Sequence, residues 1–118
     1  MEKTLTIEGR QVRFKSTAAI VLRYKAQFGR DFFSDLLKMA PLMELQEKGV
    51  TTENMGYEVM RHIDFDVLYN ITWVLAKTAD KTIPEPVEWL DTFDEFPLMD
   101  ILPELQELIE KSLGTKKK

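Results

Sequence analysis

The first fifteen residues alternate. Leu5 and Ile7 stand between Thr4, Thr6 and Glu8, and Val12 and Phe14 stand between Gln11, Arg13 and Lys15. A period of two over two short runs, separated by Glu8-Gly9-Arg10-Gln11, predicts a β-hairpin over about residues 3–15 with its turn at the glycine. One face is apolar and the other charged, so the hairpin has to lie on another layer. At Ser16 the spacing changes to three and four. Ser16 reads as the N-cap of a helix over 17–28, with Ile20, Val21, Tyr24 and Phe28 as its buried stripe and Gly29 as its left-handed stop. Asp31 caps a second helix that carries Phe32, Phe33, Leu36, Leu37 and Ala40 on one side. Pro41 must kink or restart it, because proline removes a donor and clashes with the preceding turn. MELQEK then runs on to Gly49.

Residues 50–63 hold a candidate short helix capped by Thr51 or Thr52, against which Gly56 counts. Asp64 opens a stronger helix over 65–79, apolar at Phe65, Val67, Leu68, Ile71, Thr72, Val74, Leu75 and Ala79. A helix apolar over so much of its girth is a central one. Ile83-Pro84-Glu85-Pro86 reads as an extended link, since each proline disfavours the α region at its predecessor. A short helical piece over 87–93 follows. The last helix covers about residues 100–113, with Pro103 in its first turn, a stripe of Ile101, Leu105, Leu108, Ile109 and Ser112, and Gly114 at its end. The architecture expected is therefore mainly α, of the α+β class: a hairpin, then a compact set of about five helices over 17–113, then a basic tail at 114–118. Glycines at 9, 29 and 49 do not mark a repeat, because their flanks share little.

The stretch ITWVLAKTADKTIPEPVEWLD contains both tryptophans. At about 100° per residue, the apolar arc of the central helix centres near Leu68, Ile71 and Leu75. Trp73 falls on its flank beside Asp66 and Lys77, where a returning segment such as 84–89 can cover it. An indole N–H suits that boundary, because it has to find an acceptor. The two rings either close the edge of the core or offer an apolar surface to a partner. A small-molecule pocket is the weakest reading, as no catalytic group accompanies them.

A length of 118 residues suits one domain with its own core. With no cysteine, disulfides and thiol chemistry are excluded. The start lacks the apolar run of a signal peptide, and no stretch approaches the ~18 apolar residues of a membrane span, so a cytoplasmic protein with no membrane partner is expected. The net charge of −4 conceals an asymmetry. Residues 1–38 carry eight Lys/Arg against four Asp/Glu, residues 39–113 carry five against sixteen, and GTKKK adds three lysines. An acidic body argues against nucleic acid, which requires a dense basic surface. Uneven charge is common in small proteins. It also suits a basic face of one subunit meeting an acidic face of the next, a heterologous contact that builds rings or spirals.

No phosphate-binding glycine loop, dinucleotide fingerprint or serine elbow is present. His62 is the only histidine, which leaves triads and zinc sites without ligands and reads as a structural or surface residue. Asp64 and Asp66, and Asp91 with Asp94 and Glu95, are carboxylate clusters of the kind that bind Mg²⁺ or share proton transfer. Capping explains Asp64 and a solvated face explains the others, so no enzyme, cofactor or metal is expected.

The segment IEGRQVRFKSTAAIVLRYKAQFGRDFFSDLLKM resembles the N-terminal part of the tail assembly chaperones of long-tailed phages and prophages of Gram-positive hosts. ITWVLAKTADKTIPEPVEWLDTFDEF, followed by LPELQELIEKSLG, resembles the C-terminal part of the same family; the weakest match is over 41–60. The resemblance implies a non-enzymatic protein of the host cytoplasm that binds the tape measure protein, keeps its apolar helices soluble and promotes tail tube assembly. It also implies absence from the finished virion, homo-oligomers of ring or spiral form, the tail tube protein as a further partner, and a longer form made by ribosomal frameshifting near Lys116, Lys117 and Lys118. On that basis Trp73, Trp89, Leu90, Phe93 and Phe96 are the candidate partner-binding residues. Leu5, Ile7, Val12, Phe14, Arg23 and Arg30 are the candidates for self-association. The competing reading is a small acidic adaptor or regulator of phage or bacterial origin.

Overall fold

The computed structural model describes residues 1–49, 56, 61 and 63–112. Strands β1 (Glu2–Ile7) and β2 (Arg10–Lys15) pair antiparallel, with Ile7 opposite Arg10 and Glu2 opposite Lys15. Glu8 (φ 52°) and Gly9 (φ 78°) join them. Two positive φ values in a two-residue loop match the right-handed twist of the strands, as in a type I′ turn. The fold is α+β, with this hairpin followed by helices α1 (Ile20–Phe28), α2 (Phe32–Leu37), α3 (Ala40–Glu47), α4 (Phe65–Ala79), α5 (Pro86–Leu90) and α6 (Leu98–Ser112).

Several local signals act as expected. Gly29 ends α1 at φ 68°, its N–H bonding to the Lys25 carbonyl, and Asp31 caps α2 by accepting the Ser34 N–H at 2.8 Å. Pro41 restarts the chain, lying in the first turn of α3. Asp64 caps α4 through the Val67 N–H at 3.2 Å. Pro86, expected in the extended link, is instead the first residue of α5, where its fixed φ and missing N–H cost nothing, and α5 stops at Leu90, short of the expected 93.

Three further expectations are corrected. Ser16 does not cap α1, because its main chain extends the hairpin instead. Its N–H donates to the Met1 carbonyl at 2.9 Å, and its own carbonyl accepts from the Met1 ammonium at 3.3 Å. A turn over 17–19 then delays the helix until Ile20. On α2 the buried face is Phe32, Asp35, Leu36 and, just past the helix, Met39, while Phe33, Leu37 and Ala40 face outward. The side buried by α2 thus includes a carboxylate that its apolar pattern does not reveal. Helix α6 begins at Leu98, which places Pro103 inside it and adds Leu98 and Leu102 to the buried stripe of Ile101, Leu105, Leu108 and Ile109. The candidate helix at 51–63, His62, Gly114 and the lysine tail lie outside the described residues, as does the Ser112 side chain.

Helix α4 is the centre. It buries Val67, Leu68, Ile71, Thr72 and Trp73 through Ala76, with β2 and α1 against it, and α2, α5 and α6 packed on it as well. Thr72 and Thr78 are satisfied in this apolar setting by returning their hydroxyls to the carbonyls of Leu68 and Val74, at 2.8 and 2.7 Å. β1 meets α6, where Lys3 pairs with Glu104 at 3.1 Å. Phe14 on β2 is completely buried. A ring of that size contributes about 1.5–3 kcal/mol by leaving water.

Candidate functional site

The link after α4 returns over Trp73. Nε1 of this residue donates to the Pro84 carbonyl at 3.0 Å, and its ring meets Phe28 edge-on at 5.6 Å. Lys77 fastens the same link, donating to the carbonyls of Lys81 (2.9 Å) and Ile83 (2.6 Å) while its ammonium stands 6.0 Å from the Trp73 ring centre. Trp73 is therefore a covered residue on the flank of the central helix, with 2% of its surface exposed.

Trp89, Phe93 and Phe96 form a second aromatic group, with ring centres 5.1–5.4 Å apart and Tyr69 6.2 Å from Phe96. This group packs under the hairpin turn. The Glu8 carboxylate accepts the N–H groups of Asp94 and Glu95, both at 3.0 Å. Arg10 donates to the Thr92 hydroxyl at 3.0 Å and lays its guanidinium 3.9 Å over the Phe93 ring. The structure thus brings four of the five partner candidates together, at Trp89, Leu90, Phe93 and Phe96. It does so inward: Trp89 and Phe93 are 4% and 6% exposed, and Leu90 and Phe96 are half-buried. An exposed client patch made of Trp73, Trp89 and Phe93 is corrected by this burial. The link covers the first ring, and the hairpin turn, 82 or more residues away in sequence, latches the segment that carries the other two.

The hairpin candidates for self-association are likewise occupied within the chain. Ile7 and Phe14 are buried, and Leu5 and Val12 pack against the core. Arg23 is half-buried on α1, its Nε buried without a hydrogen-bond partner among the described residues. Arg30 turns to its own chain, donating from Nε and Nη2 to Asp35 at 2.8 and 2.7 Å. Asp35 also accepts from the Tyr24 hydroxyl at 2.7 Å. The paired Arg30 hydrogen bond holds the Asp35 carboxyl at about 2, below its ordinary 3.8, and burial beside that carboxylate pushes the Tyr24 hydroxyl up. This network is a staple between α1 and α2. Sequence reasoning missed it; the available sign was an aspartate four residues past the cap, on the side where the apolar spacing calls for a hydrophobe.

Among the carboxylate clusters, Asp64 serves as a cap and Asp66, Asp91, Asp94 and Glu95 lie at the surface. Among the described residues, no group of three or more His, Cys, Asp or Glu is placed to hold a metal ion, and no helix is long and apolar enough to cross a membrane. Two surface features remain. Leu22 on α1 and Phe33 and Leu37 on α2 are exposed apolar side chains that the core does not use. A cleft of about 340 Å³ lies between β2 and the link, bordered by Arg10, Gln11, Arg13, Asp80, Ile83 and Trp89 among others. In comparisons with known proteins, no family model, no curated protein and no solved structure matches this chain.

Proposed function

We propose that this chain is a tail assembly chaperone, which binds the tape measure protein, keeps that client soluble and promotes tail tube assembly without entering the finished virion. The reading is supported by the resemblance of the hairpin, α1 and α2, and of the segment from α4 to α6, elements that pack here into one body around α4. The observation that carries the binding role is the outer face of α2. Phe33 and Leu37, four residues apart, share one side of the helix, and Leu37 is 75% exposed; the neighbouring α1 leaves Leu22 exposed to the same degree. Single exposed apolar residues are ordinary. An apolar i, i+4 pair on a helix surface is one way to receive an amphipathic helix, the form of a tape measure client. On this reading the client meets α2 and α1, and the aromatic cluster supports the fold. The chain acts by binding alone, and its basic N-terminal and acidic C-terminal parts draw subunits into a ring or spiral.

The test is a search for a long, helical, tape-measure-like reading frame immediately downstream, and co-expression with its product. Soluble client that co-purifies with this chain, and precipitates without it, is the expected result. A client equally insoluble in both cases overturns the chaperone reading, and capture of a host protein instead would favour the adaptor. Light scattering at low and high salt tests the assembly, which should weaken as salt rises; a monomer at both salt concentrations removes it.

A further inference from the structure

The free edge of β2 borders the cleft. Residues 10–13, four in succession, all line it. Side chains alternate between the two faces of a strand, so an unbroken row means that the cleft runs along the edge of the strand. The register shows which main-chain groups point there. Met1 and Ser16 exchange both of their hydrogen bonds. Hydrogen-bonded and non-hydrogen-bonded pairs alternate along an antiparallel ladder, so Phe14, Val12 and Arg10 also bond to β1. Gln11, Arg13 and Lys15 therefore direct their N–H and C=O groups away from it. Among the described residues β2 has no second neighbour strand, and no main-chain bond reaches these three. They form an open ladder with a step of two residues.

The chemistry of the two faces defines what would complete that ladder. Gln11, Arg13 and Lys15 share the outer face, so a strand laid beside them gains from carboxylates at its outward positions. Asp80 on the opposite wall stays charged, held so by the Thr82 hydroxyl and N–H at 2.6 and 3.0 Å, and Glu2 on β1 stands 3.5 Å from Arg13; the cations Arg10, Arg13 and Lys15 outnumber these carboxylates and set the sign of the edge. On the inner face Val12 continues into Ile83 and Trp89 across the cleft, a surface suited to apolar side chains. A cavity of about 340 Å³ lies at the small end of the roughly 300–1,000 Å³ of ligand sites. It suits the inward side chains of a short segment and not a large folded ligand.

We propose that the open edge of β2 is a docking strip for an extended peptide of alternating acidic and apolar residues, which adds as a third strand with its apolar side chains in the cleft. Strand addition of this kind draws affinity from main-chain hydrogen bonds and selectivity from alternate side-chain pockets. The strip is separate from the α2 face and does not rest on the chaperone reading.

The probe is a blocked hexapeptide of alternating Glu and Val, followed by amide NMR and hydrogen exchange on the intact chain. Saturable binding with at least tenfold slower exchange at Gln11, Arg13 and Lys15 is expected. The corresponding Lys-Val peptide should bind at least tenfold more weakly, and a Glu-Val peptide N-methylated at its ladder positions should not bind. Arg13→Glu, checked for folding by its amide spectrum, should reverse the preference between the two charged peptides. Arg13→Pro, which removes an edge-facing main-chain donor together with the guanidinium, should weaken both. No binding at millimolar peptide, equal binding of the N-methylated form, or protection away from β2 overturns the proposal. Protection of the same three amides that grows with protein concentration alone would assign the edge to a second copy, and overturns it too.

Discussion

The indole N–H of Trp73 and the carbonyl of Pro84 are 3.0 Å apart, a bond that joins those of Lys77 in tying the central helix to the link that leaves it. Trp73→Phe keeps most of the ring packing against Phe28 and removes the donor. Pro84 is exposed, so its carbonyl can turn to water, and the loss should stay near about 1 kcal/mol. Trp73→Ala should cost about 3–5 kcal/mol. Denaturant unfolding of both variants checks the difference. Equal losses would place the effect in the hydrogen bond and contradict the packing account.

Trp89→Ala and Phe93→Ala should each destabilise the fold by about 3–5 kcal/mol, because each empties part of a packed aromatic group. Phe33→Ser and Leu37→Ser act on exposed side chains and should change stability by no more than about 0.5 kcal/mol. The second pair should lower client capture in the co-expression assay. Thermal unfolding alongside that assay separates the two sets, and normal capture by Phe33→Ser with Leu37→Ser would remove α2 from the binding surface.

Asp35 makes stability depend on acid. Its carboxyl titrates at about 2 in the fold against an ordinary 3.8, because Arg30 and Tyr24 hydrogen-bond the charged form. A lowered pKa stabilises the fold above the unfolded value, and that contribution is lost as the pH falls from about 4 towards 2. At about 1.4 kcal/mol per pH unit, it amounts to about 2 kcal/mol. Unfolding midpoints of the native chain and Asp35→Asn between pH 7 and 2 should converge as the acid rises. Parallel curves would contradict the assignment.

Glu8→Ala and Glu8→Gly both remove the carboxylate that holds the Asp94 and Glu95 amides. Two exposed hydrogen bonds of this kind suggest a loss of about 1 kcal/mol. Only glycine relieves the positive φ at this position, so Glu8→Gly should recover part of what Glu8→Ala loses. Exchange at the Asp94 and Glu95 amides should quicken in both. Unchanged exchange there would mean that the hairpin turn does not hold this segment.

Elements and caps are largely legible in this chain, and coverage is not. Alternation at Leu5, Ile7, Val12 and Phe14 yields the hairpin, and the wide arc from Phe65 to Ala79 yields the central helix. Asp31, Gly29 and Asp64 mark ends because a cap or stop depends on groups within about four residues. Ser16 misleads for the opposite reason: its main chain is taken by Met1, fifteen residues earlier. The Asp35 staple was also hidden, since an acidic residue on a buried helix face is tolerated only where Arg30 and Tyr24 meet it.

For the tryptophans, the sequence alone determined a helix flank at Trp73 and a proline-rich return after it. Only the tertiary structure decided that both are covered. Burial is a property of what arrives from elsewhere in the chain: Pro84 closes over Trp73, and Glu8 and Arg10 fasten the segment after Trp89 from more than eighty residues away. Helical and strand periods reach only a few residues along the chain. They say which side of an element is apolar, but the neighbour that removes that side from water is chosen by packing.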